Sequence, residues 1–142
     1  WEQHCLALTA DGAVFSWAEA ACDTNSREQE RLFHVLGHGE VFNALGPRPS
    51  MPRPIVALAG QRICSVTSSY DHSIAAGWTV TAGVAPASHA GQAQRPQWAC
   101  WSWGIITQPG TSWHVFGHGR RYAQTSLPRR VVGIGATPSV TD

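Results

Sequence analysis

Asp71-His72-Ser73 places the three side-chain types of an acyl-transfer triad in consecutive positions. Such a triad needs a hydroxyl, an imidazole to take its proton and a carboxylate to orient that imidazole, all meeting at one point in space. Neighbouring residues of an extended strand point to opposite faces, so three in a row do not converge. The corresponding stretch His4-Cys5 carries neither Asp nor Ser, and the run reads as a strand rather than a nucleophilic site. Histidine also stands in Gly37-His38-Gly39 and in Gly117-His118-Gly119, where its chemistry would suit metal binding or proton transfer. The two lie 80 positions apart, one in each copy of a repeated pattern. They are therefore expected in separate structural units, as turn histidines bonded to backbone. Gly133-Ile134-Gly135 has no third glycine opening a helix and no Lys-Ser/Thr after it, so no phosphate loop is expected. The nine acidic residues are scattered without a paired-carboxylate arrangement. Catalytic residues, a bound metal and a cofactor are all expected to be absent.

Aromatic and basic side chains offer a different chemistry, that of binding. The chain has seven tryptophans. Trp17 and Trp103 occupy corresponding positions, and Trp101 alternates with Trp103 so that both face one side of a strand. Trp78, Trp98 and Trp113 fall beside loops, where a tryptophan buries a large area with few rotors and anchors an interface. Packing beneath a long insertion is the structural alternative for these three. Arg120-Arg121 and Arg129-Arg130 flank one loop region and suit an acidic partner, a phosphate or a GTPase surface; solvated turn arginines are the alternative.

Placing these residues requires the elements that carry them, and the elements repeat. A Ser-Trp pair ends an apolar run at 15–18 and again at 101–104. Gly-His-Gly follows each time, and then a proline leads a short β-branched run, from Pro52 and from Pro128. A fourth landmark precedes them, His4 in HCLAL and His72 in HSIAA. The spacing is 68 positions from His4 to His72, 86 from Trp17 to Trp103, 80 from Gly37 to Gly117 and 76 from Pro52 to Pro128. The offset changes only between landmarks, where surface loops absorb length at little entropic cost. The landmarks thus behave as strands and the gaps as loops, which is how a repeat architecture reads. The copies run roughly over 1–60 and 61–135, a third opens at 136–142, and 78–97 is a long insertion loop. A chain that stops so soon after opening a copy reads as a segment of a longer protein.

Composition agrees with a packed domain. The 142 residues are 43% hydrophobic and 13% charged, below the roughly 25% charged share of ordinary proteins. A net charge of +1 gives no electrostatic footprint for direct nucleic-acid binding. All ten basic residues are Arg, so lysine chemistry is absent. Cys5, Cys22, Cys64 and Cys100 form no C-x-x-C pair, which excludes zinc-ribbon spacing. Cys5, Cys64 and Cys100 sit in apolar strand-like runs, so buried free thiols are expected, with disulfides as the alternative. No apolar run reaches the roughly 18 residues of a membrane span, no signal-peptide pattern is present, and an intracellular setting is favoured.

In chain order, His4–Thr9 and 13–17 form a hairpin about Asp11-Gly12, since Gly accepts the positive φ of a tight turn. Residues 19–31 read as loop with a possible helical turn. GPRPSMPRP at 46–54 is too proline-rich for regular structure. Strands are expected at 55–58, 63–66, 73–76, 98–104 and 131–134. Closely spaced short strands indicate an all-β fold, and about four strands per copy favour a propeller blade.

These landmarks resemble the regulator of chromosome condensation repeat family. The residues that carry the likeness are Trp103-Gly104, Gly117-His118-Gly119, Pro128 with Val131-Val132, His72-Ser73 and Asp11-Gly12. Ala18 departs from the pattern by standing where the family has Gly after Trp. The resemblance implies a seven-bladed β-propeller, of which this chain supplies about two four-stranded antiparallel blades. It also implies repeat-structural roles for His4, His72, Trp17, Trp103, Gly37, His38, Gly39, Gly117, His118, Gly119, Pro52 and Pro128.

The function expected is that of a non-enzymatic scaffold that binds a protein partner, with Trp78, Trp98, Trp113, Arg120 and Arg121 as contact residues. One branch of the family implies a second reading, guanine-nucleotide exchange on a Ran-like small GTPase. A third is a divergent structural subunit of a large complex.

Overall fold

The computed structural model describes residues 4–18, 34–39, 51–79, 96–105, 118, 124–131 and 134. Over these residues the chain is all-β and forms two antiparallel sheets, three-stranded and four-stranded. The first contains β1 (His4–Leu8), β2 (Val14–Ala18) and β3 (Arg53–Pro54), in that order. The second contains β4 (Gln61–Ser68), β5 (His72–Thr79), β6 (Gln97–Ile105) and β7 (Gln124–Arg130), again in chain order.

The β1–β2 hairpin turns where Asp11-Gly12 places it. Gly12 adopts φ 92°, which an L side chain resists. The Thr9 and Ala13 backbones close the turn, with Thr9 N donating to Ala13 O at 2.9 Å. The Asp11 carboxylate accepts the Thr9 hydroxyl proton. That bond, ahead of backbone donors, holds its carboxyl below the usual range.

Alternation along the strands divides each sheet into two faces. In β2, Val14, Ser16 and Ala18 are buried while Phe15 and Trp17 are half-buried. In β5, Ser73, Ala75 and Gly77 are buried, and their neighbours are less so. The core joins the even-numbered face of the first sheet to the odd-numbered face of β5 and β6. Val14, with Leu6 and Leu8 against it, packs on Ile63, Ala75, Ala99, Trp101 and Trp103, and Ile55 and Leu58 close the cluster.

Matched residues of the two sequence copies take matched places in the two sheets. His4 pairs with Ala18 and Cys5 with Trp17; His72 pairs with Gly104 and Ser73 with Trp103. On the next strand, Ser16 faces Arg53 and Ser102 faces Arg129. The backbone bond Ile55 N to Val14 O, 2.8 Å, recurs as Val131 N to Cys100 O, also 2.8 Å. Among the described residues the first sheet has no counterpart of β4.

Three expectations need correction. Residues 55–58 are not a strand: Val56–Leu58 is a 3-10 turn, whose i, i+3 spacing turns Ile55 and Leu58 into the same core. The strand at that landmark is β3, directly after Pro52, in one copy and β7, which contains Pro128, in the other. Both are edge strands, where a residue without N–H is tolerated, so β7 ends at Arg130 and not at 134. Among the described residues Cys5, Cys64 and Cys100 are free thiols, yet Cys5 and Cys64 are exposed and Cys100 is half-buried. Cys5 lies on the open face of the first sheet, and Cys64 sits at the β4 bulge between Ile63 and Ser65. Cys22, the 19–31 loop, most of the 78–97 insertion and the third copy at 136–142 lie outside the described residues.

Candidate functional site

The first Gly-His-Gly, with the two residues ahead of it, lies between the sheets. Ser16 of β2 donates its hydroxyl proton to Leu36 O at 2.7 Å. With that proton committed, its oxygen accepts from His38 Nε2 at 2.9 Å. From the other sheet, Trp103 Nε1 donates to Val35 O at 2.8 Å and the Ser73 hydroxyl reaches the same carbonyl at 3.3 Å. His4 Nε2 meets Ser73 Oγ at 3.0 Å, tying β1 directly to β5. Gly39 N donates to Ser126 O of β7 at 2.9 Å. Residues 34–39 therefore staple one sheet to the other through buried polar groups, which are costly to leave unpaired.

The glycines of this staple are required by close approach. Gly37 has φ +76°, and a Cβ there would stand 2.8 Å from Trp103 Nε1. Gly39, φ +75°, would bring a Cβ to 3.0 Å from Leu127 Cδ2. Trp103 is fully buried against this backbone. Burial holds the His38 imidazole below its ordinary value, and the Arg53 charge acts in the same direction.

The second copy repeats the arrangement at its one described residue. His118 Nε2 lies 2.9 Å from Ser102 Oγ and donates to Ser102 O at 3.1 Å. The bond between the serine before the tryptophan and the histidine between the glycines thus occurs in both copies at one length. Reading Gly-His-Gly by itself misses the serine partner. The signal for it was present twice, as Ser16-Trp17 and Ser102-Trp103, and so was the rest of the staple: residues 34–39 are HVLGHG and residues 114–119 are HVFGHG.

His72 and Ser73 lie on opposite faces of β5. His72 Nδ1 is 2.7 Å from Ser69 Oγ at the β4–β5 turn, while Ser73 is engaged with His4 and Val35. Among the described residues no group of three His, Cys, Asp or Glu could hold a metal, and no helix is long and apolar enough to cross a membrane.

Of the expected contact residues, Trp78 and Trp98 come together. They are register partners on β5 and β6, with ring centroids 5.2 Å apart and planes at 81°, an edge-to-face pair. They are 41% and 38% exposed, large for apolar side chains in direct contact. Arg62 of β4 is Trp78's partner on the other side and is also exposed, so an arginine and two tryptophans form one cross-strand row. Arg129 and Arg130 are exposed on β7, and Arg130 Nη2 reaches Gln97 Oε1 at 3.5 Å. Trp113, Arg120 and Arg121 lie outside the described residues, as do Gly117 and Gly119. Neither the models of known protein families nor the curated proteins give a match to this chain.

Proposed function

We propose that the chain is a non-enzymatic protein-interaction module, a segment of a β-propeller of the regulator of chromosome condensation type with two neighbouring blades. The observation that carries the binding role is the exposed Trp78–Trp98 pair with Arg62 in the same row. Tryptophan and arginine dominate the energetics of protein interfaces because they bury large areas and pair with carboxylates or carbonyls. Each ring packs edge-to-face on the other, which lowers the side-chain entropy left to lose on docking. The partner surface that fits is a protein with apolar anchors and acidic groups. Membership of a larger assembly is supported by a second observation, the half-buried Phe15–Trp17 face of the first sheet.

The test is capture of partners by the immobilised chain, with wild type compared against Trp78→Ala/Trp98→Ala. A discrete protein whose recovery falls about tenfold or more, as expected for hot-spot truncation, with the circular dichroism of the chain unchanged, supports the module. Equal recovery of every captured protein by the two forms removes Trp78 and Trp98 as the site.

A further inference from the structure

The β5–β6 hairpin is longer than its counterpart in the first sheet. The pairs from His4↔Ala18 to Leu8↔Val14 match those from His72↔Gly104 to Ala76↔Cys100, and β5–β6 then continues through Gly77↔Ala99, Trp78↔Trp98 and Thr79↔Gln97. The tryptophan pair therefore stands on an extension that the repeat does not use. The extension is firmly closed. The Thr79 hydroxyl donates to Gln97 O at 3.2 Å and accepts from Gln97 N at 3.3 Å. At Gly77 the β4 backbone of Arg62 and Ile63 comes too close for any side chain, which keeps Arg62 beside its register partner Trp78.

The chemistry of this row selects a ligand. Two rings with planes at 81° and centroids 5.2 Å apart make a two-walled corner, and their negative faces attract polarised C–H groups. Among the described residues nothing accepts from the indole N–H of Trp78 or Trp98, and nothing pairs with the Arg62 guanidinium. A ligand seated here therefore brings compact apolar groups, carbonyls that are not already hydrogen-bonded, and a negative charge. A helix commits its carbonyls to its own backbone. A β-strand adds at a sheet edge, and β5 and β6 are both interior strands, with β4 and β7 outside them. A cationic side chain, which aromatic walls attract, is repelled by Arg62. A polyproline II segment meets all three demands, since it has no internal hydrogen bonds and its backbone stands open to donors.

We propose that Arg62, Trp78 and Trp98 bind a proline-rich segment of a partner protein in the polyproline II conformation. A proline ring fills the corner, backbone carbonyls of the segment accept from the indole N–H groups, and a carboxylate of the segment pairs with Arg62. Such a ligand is ordered before it binds, so docking costs it little entropy. The proposal rests on the binding role of the Trp78–Trp98 pair and narrows the partner to one backbone conformation.

The test is titration of the full chain with a short capped peptide of prolines carrying one glutamate, followed by NMR at the indole N–H of Trp78 and Trp98. Comparison peptides replace the prolines by alanine or the glutamate by glutamine, and an oligothymidylate stands for a single-stranded nucleic acid. The proline–glutamate peptide is expected to move both indole signals saturably at roughly millimolar concentration. Trp98→Ala is expected to weaken that binding about tenfold or more, read at Trp78. Arg62→Ala is expected to abolish a roughly threefold preference for glutamate over glutamine. Arg62 is exposed, so its variant keeps the test open if Trp98→Ala does not fold. An alanine peptide that binds as tightly, an oligothymidylate that moves the same signals at lower concentration, or no movement of either signal would each overturn the proposal. If partner capture still depends on Trp78 and Trp98 while the proline peptide leaves both indoles unmoved, the interaction site stands and this ligand class falls; if capture is independent of them as well, the site falls too.

Discussion

Trp17 and Trp103 show how one residue type at one register position takes different environments. Trp103 is sealed in the core with its N–H on Val35 O, and Trp17, on the matched face of the first sheet, is only partly buried. Trp103→Phe keeps most of the ring and removes the donor. It is expected to cost about 2–4 kcal/mol, because the missing part of the indole leaves a cavity at a fully buried site, while Ser73 still reaches the abandoned carbonyl. Trp17→Phe is expected to stay within about 0.5 kcal/mol. Urea unfolding of the two variants measures the contrast, and equal losses would argue against it. His38 makes a pH prediction whose sign follows from its environment. Burial depresses the imidazole below 6.5 in the folded chain, so the unfolded chain binds the proton first. Its contribution to stability is intact above pH 6.5 and is lost progressively as pH falls below that value. Thermal unfolding of wild type should therefore drop more steeply than that of His38→Gln as pH is lowered through 6.5.

At the scale of the element, the repeat is carried by strands whose backbones differ in one place. Gly104 has φ +135°, and a Cβ there would stand 2.2 Å from Asp71 O. Its counterpart in the first copy is Ala18, which pairs with His4 as Gly104 pairs with His72, is fully buried and lies outside the positive-φ region. The β6 strand shifts register between Ser102 and Gly104, and the glycine absorbs that irregularity. Gly104→Ala is expected to destabilise by more than about 2 kcal/mol through forced backbone strain. Ala18→Gly is expected to cost about 1–2 kcal/mol, through chain entropy and the loss of a methyl buried with Val35 and Leu36. Chemical denaturation distinguishes them, and a Gly104→Ala variant as stable as wild type would contradict the close approach. The hairpins were legible in the sequence because Asp11-Gly12 and the alternation of β1, β5 and β6 are local signals. The 3-10 turn at Val56–Leu58 was not, since a short apolar run bounded by glycine suits a strand or a turn until its packing partner is known.

On the scale of the whole molecule, the repeat was visible as spaced landmarks, and the structure gives those spacings a mechanical meaning. His4, Ser16, Trp17, His38 and Arg53 each have a counterpart at equivalent register or with the same bond. What the landmarks did not reveal is that the first Gly-His-Gly joins two sheets, because contacts between Val35 and Trp103 span a separation that no local pattern encodes. The exposure of Cys5 was missed for the same reason: an apolar strand residue reads as buried until the coverage of its face is known. A tryptophan sealed in one sheet and only partly buried at the matched position of the other is the feature on which the two-sheet account rests.

Hydrogen exchange of the tryptophan indole N–H protons, read residue by residue by NMR on dilute protein, tests that feature most directly. Slow exchange at Trp103 Nε1 and fast exchange at Trp17 Nε1 are the result this account requires. Exchange at Trp103 as fast as at Trp17 would mean that residues 34–39 do not bridge the two sheets, and the matched-sheet description would fall.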